Sequence, residues 1–531
     1  MRRWLCCLIV RRHLTFTIVE SVHVQIHIVQ PAGGFTATMT AHPDSLDVQI
    51  HGLDAQFIGG YWQQGTGEMV DVISPTTEEP VARVALPTTQ DADAAVLAAR
   101  TAFDTGAWPS LSVSERIAVC TRLCDALEVR LPALNRAWAF ESGATIAHGE
   151  MINDGAGVSI WRGALANAHR AQFEEDRGDV LLLREPIGTV LGIMTFNGPI
   201  VLMGMKIIPA LLAGCTVIVK HAPESPLTSR LIAEAIREAA FPPGVVSVLA
   251  ADTPVTQHLV GHPGIDMVAL TGGTAIGVDV VKRTADRLAR TALELGGKSP
   301  AIITDDVDLD EVMQTLGVGS TGFMGQVCVN LSRVLAPRSR YNEVVDALAS
   351  HFRSLRIGDP FDTSTDRGPL AVERARTRVE SHVAQAKADG ARVVAGGRRP
   401  AHLNRGWFYE PTLLADVDNA MHVAQEEIFG PVTAVIPYSG VEEAIAIAND
   451  SRFGLACSIY SRDTSLAQSM ARRIKAGSVA INMAGVSLTQ PFGGYKQSGW
   501  GRECGMEGIL EFTQIKQVVK GGGYLQSGSS S

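Results

Sequence analysis

The sequence lacks several patterns that would point to common functions. No Cys-x-x-Cys pair occurs among its eight cysteines, at positions 6, 7, 120, 124, 215, 328, 457 and 504, which argues against structural zinc and a disulfide framework and suits a reducing compartment. Histidines are equally scattered, so no metal site is expected. Basic residues form no long run and the formal net charge is −9, which removes the electrostatic footprint of a nucleic-acid binder. No internal repeat is present. The one long uncharged stretch, Pro186 to Met205, has the length of a membrane span, but Gly188, Gly192, Asn197, Gly198 and Pro199 interrupt it. It reads as a buried strand, a turn and the start of a core helix, so no membrane is expected as partner.

At 531 residues the chain exceeds what one hydrophobic core serves, so two or more domains are expected. Its ends differ from the rest. Residues 1–38 carry Arg2, Arg3, Arg11 and Arg12 with no acid before Glu20, and an apolar run from Trp4 to Val10 too short and too poorly followed for a clean signal peptide. They read as an extension without ordered structure ahead of Met39, and residues 521–531 as a flexible tail.

Between the ends, strands and helices alternate. Phe57 to Trp62 and Ile73 to Thr77 suggest two short strands joined by a turn. Amphipathic helices follow at about Asp91–Phe103 and Ser114–Arg130, with Ser114 as cap, and a further helix is expected over Asn153–Asp176. From Thr189 the alternation is regular: strand to Met194, helix Val201–Leu212, strand Cys215–Lys220, a helix opened by Ser225-Pro226, then strands at Val245–Leu249 and Met267–Leu270. That order predicts an α/β fold with a parallel sheet covered on both faces.

Two short stretches carry potential chemistry. Gly325-Gln326-Val327-Cys328 places a thiol in a glycine-containing turn, and Glu294-Leu295-Gly296-Gly297-Lys298 lies a short way upstream. A thiolate is a strong nucleophile toward a carbonyl carbon, and a carboxylate is the usual proton carrier beside it. On its own such a cysteine is more often a small buried hydrophobe. Gly272-Gly273-Thr274-Ala275-Ile276-Gly277 follows an apolar strand and opens a helix, where backbone N–H groups could hold a diphosphate. Threonine stands where the usual fingerprint has its second glycine.

Together with Arg333, these blocks resemble the aldehyde dehydrogenase superfamily from about Phe57 to about Val519. Others agree in order: Phe196-Asn197-Gly198-Pro199, Lys220, Leu270-Thr271-Gly272-Gly273-Thr274, Glu426-Glu427-Ile428-Phe429-Gly430-Pro431 and Pro491-Phe492-Gly493-Gly494-Tyr495-Lys496. The resemblance implies a Rossmann-like cofactor domain (39–161 and 187–295), an α/β catalytic domain (296–492) and a small β oligomerisation flap (162–186 and 506–520). It also implies a cytoplasmic homodimer or homotetramer that oxidises an aldehyde to the acid. Cys328 would be the nucleophile, Asn197 the oxyanion donor, Glu294 the base acting on water, with Lys206 and Glu503 relaying protons. Met194, Thr195, Phe196, Lys220, Glu224, Thr271, Gly272, Gly273, Thr274, Gly277, Leu295, Gly296, Glu427 and Phe429 would contact NAD, with NADP as the alternative. The family generally has serine at Gly273, tryptophan at Phe196 and, in NAD-preferring members, glutamate at Pro223, and all three departures bear on the cofactor.

Phe323, Met324, Val327, Val329, Leu202 and Met205 surround the thiol or follow Asn197, which with no arginine beside the thiol points to an apolar aliphatic or aromatic aldehyde. Two other classes remain open from the residues: a thiol esterase or acyl-transferase that uses Cys328 without a cofactor, and a catalytically idle scaffold on the same fold. Retention of Asn197, Glu294 and Cys328 together counts against the scaffold, and Glu294 favours hydrolysis over transfer to CoA.

Overall fold

The computed structural model describes residues 48–520. The expected extension at 1–38 and tail at 521–531 lie outside the described residues.

Two sheets organise the chain. The first is eight-stranded, with strand order Tyr61–Gln64, Ala55–Ile58, Val246–Ala250, Thr216–His221, Thr189–Ile193, Met267–Thr271, Arg290–Glu294 and Gly499–Trp500. Its five central strands are parallel, and Ala55–Ile58 on one side and Gly499–Trp500 on the other join them antiparallel. The central strands Thr189–Ile193, Thr216–His221, Val246–Ala250 and Met267–Thr271 are buried along their whole length, as continuous Val, Ile and Leu runs require when helices cover both faces. Successive strands run outward in one direction from Thr189–Ile193 to Val246–Ala250, and in the other from Met267–Thr271 to Arg290–Glu294. The order reverses between Thr189–Ile193 and Met267–Thr271, so a crevice opens at their carboxyl ends.

The second sheet is seven-stranded: Arg392–Ala395, Thr412–Ala415, Val432–Tyr438, Leu331–Pro337, Ser299–Ile303, Ala456–Tyr460 and Ser478–Ile481, parallel except at the first strand. Residues 295–298 pass from the last parallel strand of the first sheet into the centre of the second. A separate antiparallel sheet pairs Thr513–Val519 with Val180–Pro186, and Val180–Pro186 with Glu174–Asp176.

Local sequence explains where elements begin, and several expectations need correction. Tyr61–Gln64 pairs with Ala55–Ile58, and Met69–Ile73 with Pro80–Ala85, so the first stretch holds two hairpins rather than two strands. The helix Val113–Val129 is capped by Ser112 in a reciprocal bond with Glu115, not by Ser114, because only Ser112 has its acid three residues on. The expected helix over 153–176 begins earlier, at Ile146, passes through a wide π-helical segment at Glu150–Gly157 and ends at Ala168. Glu174–Asp176 is an edge strand, where cross-strand pairing overrides helix propensity. The stretch 186–205 holds the strand Thr189–Ile193, a turn and the helix start Pro199–Leu202, and among the described residues no helix is long and apolar enough to cross a membrane.

Candidate active site

Glu294 is the last residue of its strand and Cys328 lies just before the strand Leu331–Pro337, so the two sheets deliver one side chain each. The Cys328 thiol is half-buried and close enough to the Glu294 carboxyl for each to raise or lower the other's proton affinity. Burial pushes Glu294 up to about 8, only partly offset by Lys206. Burial and the facing Glu294 carboxyl also hold the thiol well above its ordinary range. Two negative charges cannot coexist in this contact, so at neutral pH the pair keeps its protons and either group ionises by giving one up.

Behind Glu294, the Lys206 ammonium donates to Glu503 in an ion pair whose two side chains are 0% and 7% exposed. Burial raises the Glu503 carboxyl, and Glu503 and Lys206 both act on Glu294. Oε1 of Glu294 and Oε2 of Glu503 have no hydrogen-bond partner within the protein. A buried carboxylate oxygen without a partner is costly to ionise and ready to take a proton.

Asn197 is fixed from both ends of its amide: Oδ1 accepts from the Thr195 hydroxyl at 2.5 Å, and Nδ2 donates to the Gln326 carbonyl at 3.0 Å. The amide nitrogen therefore faces the cysteine turn. That turn is strained. Phe323, Met324 and Gly325 have φ of 43°, 55° and 69°, a left-handed run that costs two side-chain-bearing residues roughly 1–2 kcal/mol each. Buried Gln326 braces it, donating to the Phe323 carbonyl at 3.2 Å and accepting from the Ala371 N–H at 3.1 Å. A Cβ on Gly325 would lie 2.1 Å from the Gly430 carbonyl oxygen. Gly325→Ala is therefore expected to lower stability by about 1–3 kcal/mol and activity by about 10²-fold through displacement of Cys328. A thermal melt and a steady-state assay check it, and a variant with unchanged activity would show that the turn does not set the thiol's position.

From Cys328 a cleft of about 610 Å³ runs along the carboxyl ends of the first sheet. Met194, Thr195, Phe196, Asn197, Lys220, Glu224, Thr271, Gly272, Gly273, Glu294, Gly296, Glu427 and Phe429 all line it. Glu427 accepts from the Gly297 N–H at 3.2 Å, and burial raises its carboxyl to about 7. Its approach depends on Gly296, where a Cβ would fall 1.9 Å from a Glu427 oxygen. Buried Lys220 is held down to about 8 by desolvation, with Glu224 and Asp252 opposing the shift.

Three expected contacts do not reach the cleft wall. Thr274 donates to the Gln497 carbonyl, Gly277 packs against the Leu295 side chain, and Leu295 is core, so Ala275 and Ile276 form that part of the wall. Lys206 and Glu503 act from behind Glu294. Of the apolar residues expected around the thiol, Met324, Leu202 and Met205 are buried in core clusters and Phe323 packs on Trp138, while Val327 and Val329 stay half-buried. Val201, Val329, Val486 and Leu488 are each half-buried against the main core. Thr253, Thr256 and Gln257 on the helix Thr253–Gly261, and Arg374 and Arg378 on the helix Glu373–Ala388, complete the cleft. No motif in the sequence marks them.

The residues present fit a dinucleotide. The cleft follows the strand-order reversal, the Thr271 hydroxyl is buried without a protein partner, and a Cβ at Gly273 would meet nothing within 4 Å, which leaves the amino end of the helix Thr274–Thr284 open to a diphosphate.

Comparison with known proteins agrees with this geometry. The description "Aldehyde dehydrogenase family" matches residues 62–518. The chain belongs to the aldehyde dehydrogenase family. A geranial dehydrogenase of Castellaniella defragrans is 40% identical over 468 residues, covering 87% of this chain and 98% of the relative. Among solved family structures, a Mycobacterium tuberculosis aldehyde dehydrogenase complexed with NAD+ superposes with a TM-score of 0.87 at 42% identity, covering 89% of this chain and 99% of the other. A mutant of aldehyde dehydrogenase C from Pseudomonas syringae, complexed with NAD+ and octanal, gives a TM-score of 0.86 at 35% identity, covering 90% and 99%. As a family member the chain is an oxidoreductase acting on aldehydes.

Proposed function

We propose that the protein oxidises an apolar aldehyde to its carboxylic acid with NAD as hydride acceptor. The observation that carries this is the Cys328 thiol against the Glu294 carboxyl at the inner end of a dinucleotide-sized cleft, with the Asn197 amide fixed on the same turn.

Cys328 loses its proton to water in the cleft and attacks the aldehyde carbon as the thiolate. The resulting oxyanion is held by Asn197 Nδ2 and the Cys328 N–H, and loss of one such donor typically raises a barrier by about 2.7–4 kcal/mol. Lys220, Thr271, Gly272 and Gly273 would hold NAD, with Glu427 and Phe429 toward its nicotinamide, and the bound cofactor would supply the acceptor for the hydride that leaves the hemithioacetal carbon. Cys328 then carries a thioester, and Glu294 draws a proton from the water that attacks it. Glu503 and Lys206 carry protons to and from Glu294. Val327 and Val329, half-buried on either side of Cys328 in the chain, give the thiol an apolar setting. The charges that bear on the thiol are the carboxyls of Glu294 and Glu427, which disfavours an aldehyde carrying a second carboxylate. The names geranial dehydrogenase and octanal complex among the relatives support an apolar substrate.

We read the division of labour as a cofactor domain at 39–161 and 187–295 and a catalytic domain at 296–492. The three-stranded sheet, with exposed Ile515, Val518 and Val519, would join copies into a homodimer or homotetramer. The described cysteines are all free, which supports a cytoplasmic location.

The test is the appearance of reduced nicotinamide with octanal as substrate, run with NAD and with NADP, alongside octanoate formation. Hydrolysis of an octanoyl ester with no aldehyde-dependent cofactor reduction would favour the hydrolase class. The pH dependence follows from Glu294. It is protonated, and inactive as a base, below its value of about 8, so turnover is expected to rise about tenfold per pH unit below that value and to level off above it. A profile flat from about pH 6 to 9 would show that Glu294 does not limit the rate.

A further inference from the structure

The strained turn that leads to Cys328 is gripped at both ends by one short segment, residues 367–371. At the start of the segment, the half-buried Arg367 guanidinium donates to the Thr321 hydroxyl oxygen through Nε at 3.2 Å and Nη2 at 2.8 Å. At its end, the Ala371 N–H donates to Gln326 Oε1 at 3.1 Å. Thr321 is the last residue of the helix Leu309–Thr321, Gln326 closes the left-handed run, and Cys328 follows directly after Val327.

The polar atoms at the first grip are committed. The Thr321 side chain is 0% exposed and its hydroxyl gives its proton to the Gly317 carbonyl at 2.7 Å, so Arg367 meets the oxygen lone pairs. Arg367 Nη1 donates to the Asp366 carbonyl at 2.7 Å. A planar fork that delivers two bonds to one oxygen fixes a position, which an ammonium on a flexible stem does not. The segment is itself held. The Leu370 N–H donates to the Trp407 carbonyl at 3.1 Å, and the Arg367 carbonyl accepts from the Gly358 N–H at 3.1 Å. A Cβ on Gly368 would lie 2.1 Å from the carbonyl oxygen of Gly143, which ends the helix Leu131–Ser142.

We propose that Arg367 is a positioning residue for Cys328: with Ala371 it splints the turn from Thr321 to Gln326, and the splint sets where the thiol and the Gln326 carbonyl that holds Asn197 stand. Phe323 and Met324 at positive φ persist only where their surroundings over-determine them. The Phe323 ring is held by the Trp138 and His148 rings at 5.0 and 5.4 Å between centroids, and Gln326 holds the Phe323 carbonyl. Arg367 supplies the anchor at Thr321, the end of the turn that Gln326 does not reach. What the placed thiol does rests on the dehydrogenase reading above, whereas its placement does not. An arginine that only complements the helix dipole would stabilise the fold without placing the thiol, and a lysine could replace it there.

The experiment compares the full chain with Arg367→Lys, Thr321→Val, the double variant and Thr321→Ser. Each is measured for the rate of iodoacetamide alkylation at the Cys328 peptide by mass spectrometry, for kcat and KM with NAD and octanal, and by thermal melt. Arg367→Lys and Thr321→Val should each lower kcat about tenfold and change the Cys328 alkylation rate about threefold or more, with KM for NAD within about twofold of wild type. Thr321→Ser keeps the hydroxyl and should stay within about twofold of wild type in both. The double variant should match the weaker single within about twofold, because both changes remove one contact. The singles approach that contact from opposite sides, so either one that folds decides the matter. Singles that lower only the melting temperature, with kcat and alkylation within about twofold of wild type, overturn the splint, as do losses that multiply in the double variant. Wild type that reduces no NAD with octanal overturns the dehydrogenase reading, and the alkylation rates then decide the splint by themselves.

Discussion

Replacing Cys328 by alanine is expected to abolish aldehyde-dependent cofactor reduction while cofactor binding stays within about twofold of wild type. The loss should be on the order of 10⁶-fold, the scale seen when a covalent nucleophile is removed from a catalytic unit. No other thiol among the described residues can stand in. Cys120, Cys124, Cys215, Cys457 and Cys504 are all buried, and burial pushes each thiol up, to about 12 for Cys124, Cys215 and Cys457. The cofactor groups Lys220, Thr271 and Gly272 sit on the first sheet and do not depend on the Cys328 side chain. Turnover near the wild-type rate in this variant would remove Cys328 from the reaction.

Glu294→Gln is expected to separate the two halves of the reaction. Glutamine keeps the shape of the protonated carboxyl that predominates at neutral pH, but it cannot accept a proton. The facing carboxylate is one of the causes that hold the Cys328 thiol high, so its removal makes the thiol easier to ionise. Acylation should therefore continue, with one equivalent of reduced cofactor formed in a burst. Hydrolysis of the thioester should then slow by about 10²- to 10⁴-fold, the usual worth of a general base. Rapid mixing with saturating NAD and octanal resolves the phases. A missing burst would mean that Glu294 is also required to deprotonate the thiol, and unimpaired steady-state turnover would exclude it from the mechanism.

The parallel sheet was legible because four of its five central strands are short apolar runs between helix signals, and Lys220 could be placed at a strand end on that basis, whereas Arg290–Glu294, which delivers Glu294, is half polar and carries no such signal. Local signals failed where tertiary pairing decides. Glu174–Asp176 has no strand character of its own and is held by Val180–Pro186. The left-handed run Phe323 to Gly325 has only one glycine, and Gln326 and the Gly430 carbonyl fix it from outside. Spacing also misleads: Gly317, Gly319 and Gly322 match the dinucleotide pattern, yet the first two lie within the helix Leu309–Thr321 and the third ends it. Arg374 and Arg378 entered the site unannounced because each is an ordinary charged residue until the fold carries its helix to the cleft.

The central claim is a thioester on Cys328 that Glu294 hydrolyses. Its most direct test is mass spectrometry of the Cys328 peptide from Glu294→Gln, quenched in acid shortly after mixing with NAD and octanal. An octanoyl group on Cys328 in near-stoichiometric amount, absent without NAD and transient in wild type, is the predicted result. Reduced cofactor and octanoate formed with Cys328 never acylated would contradict the account.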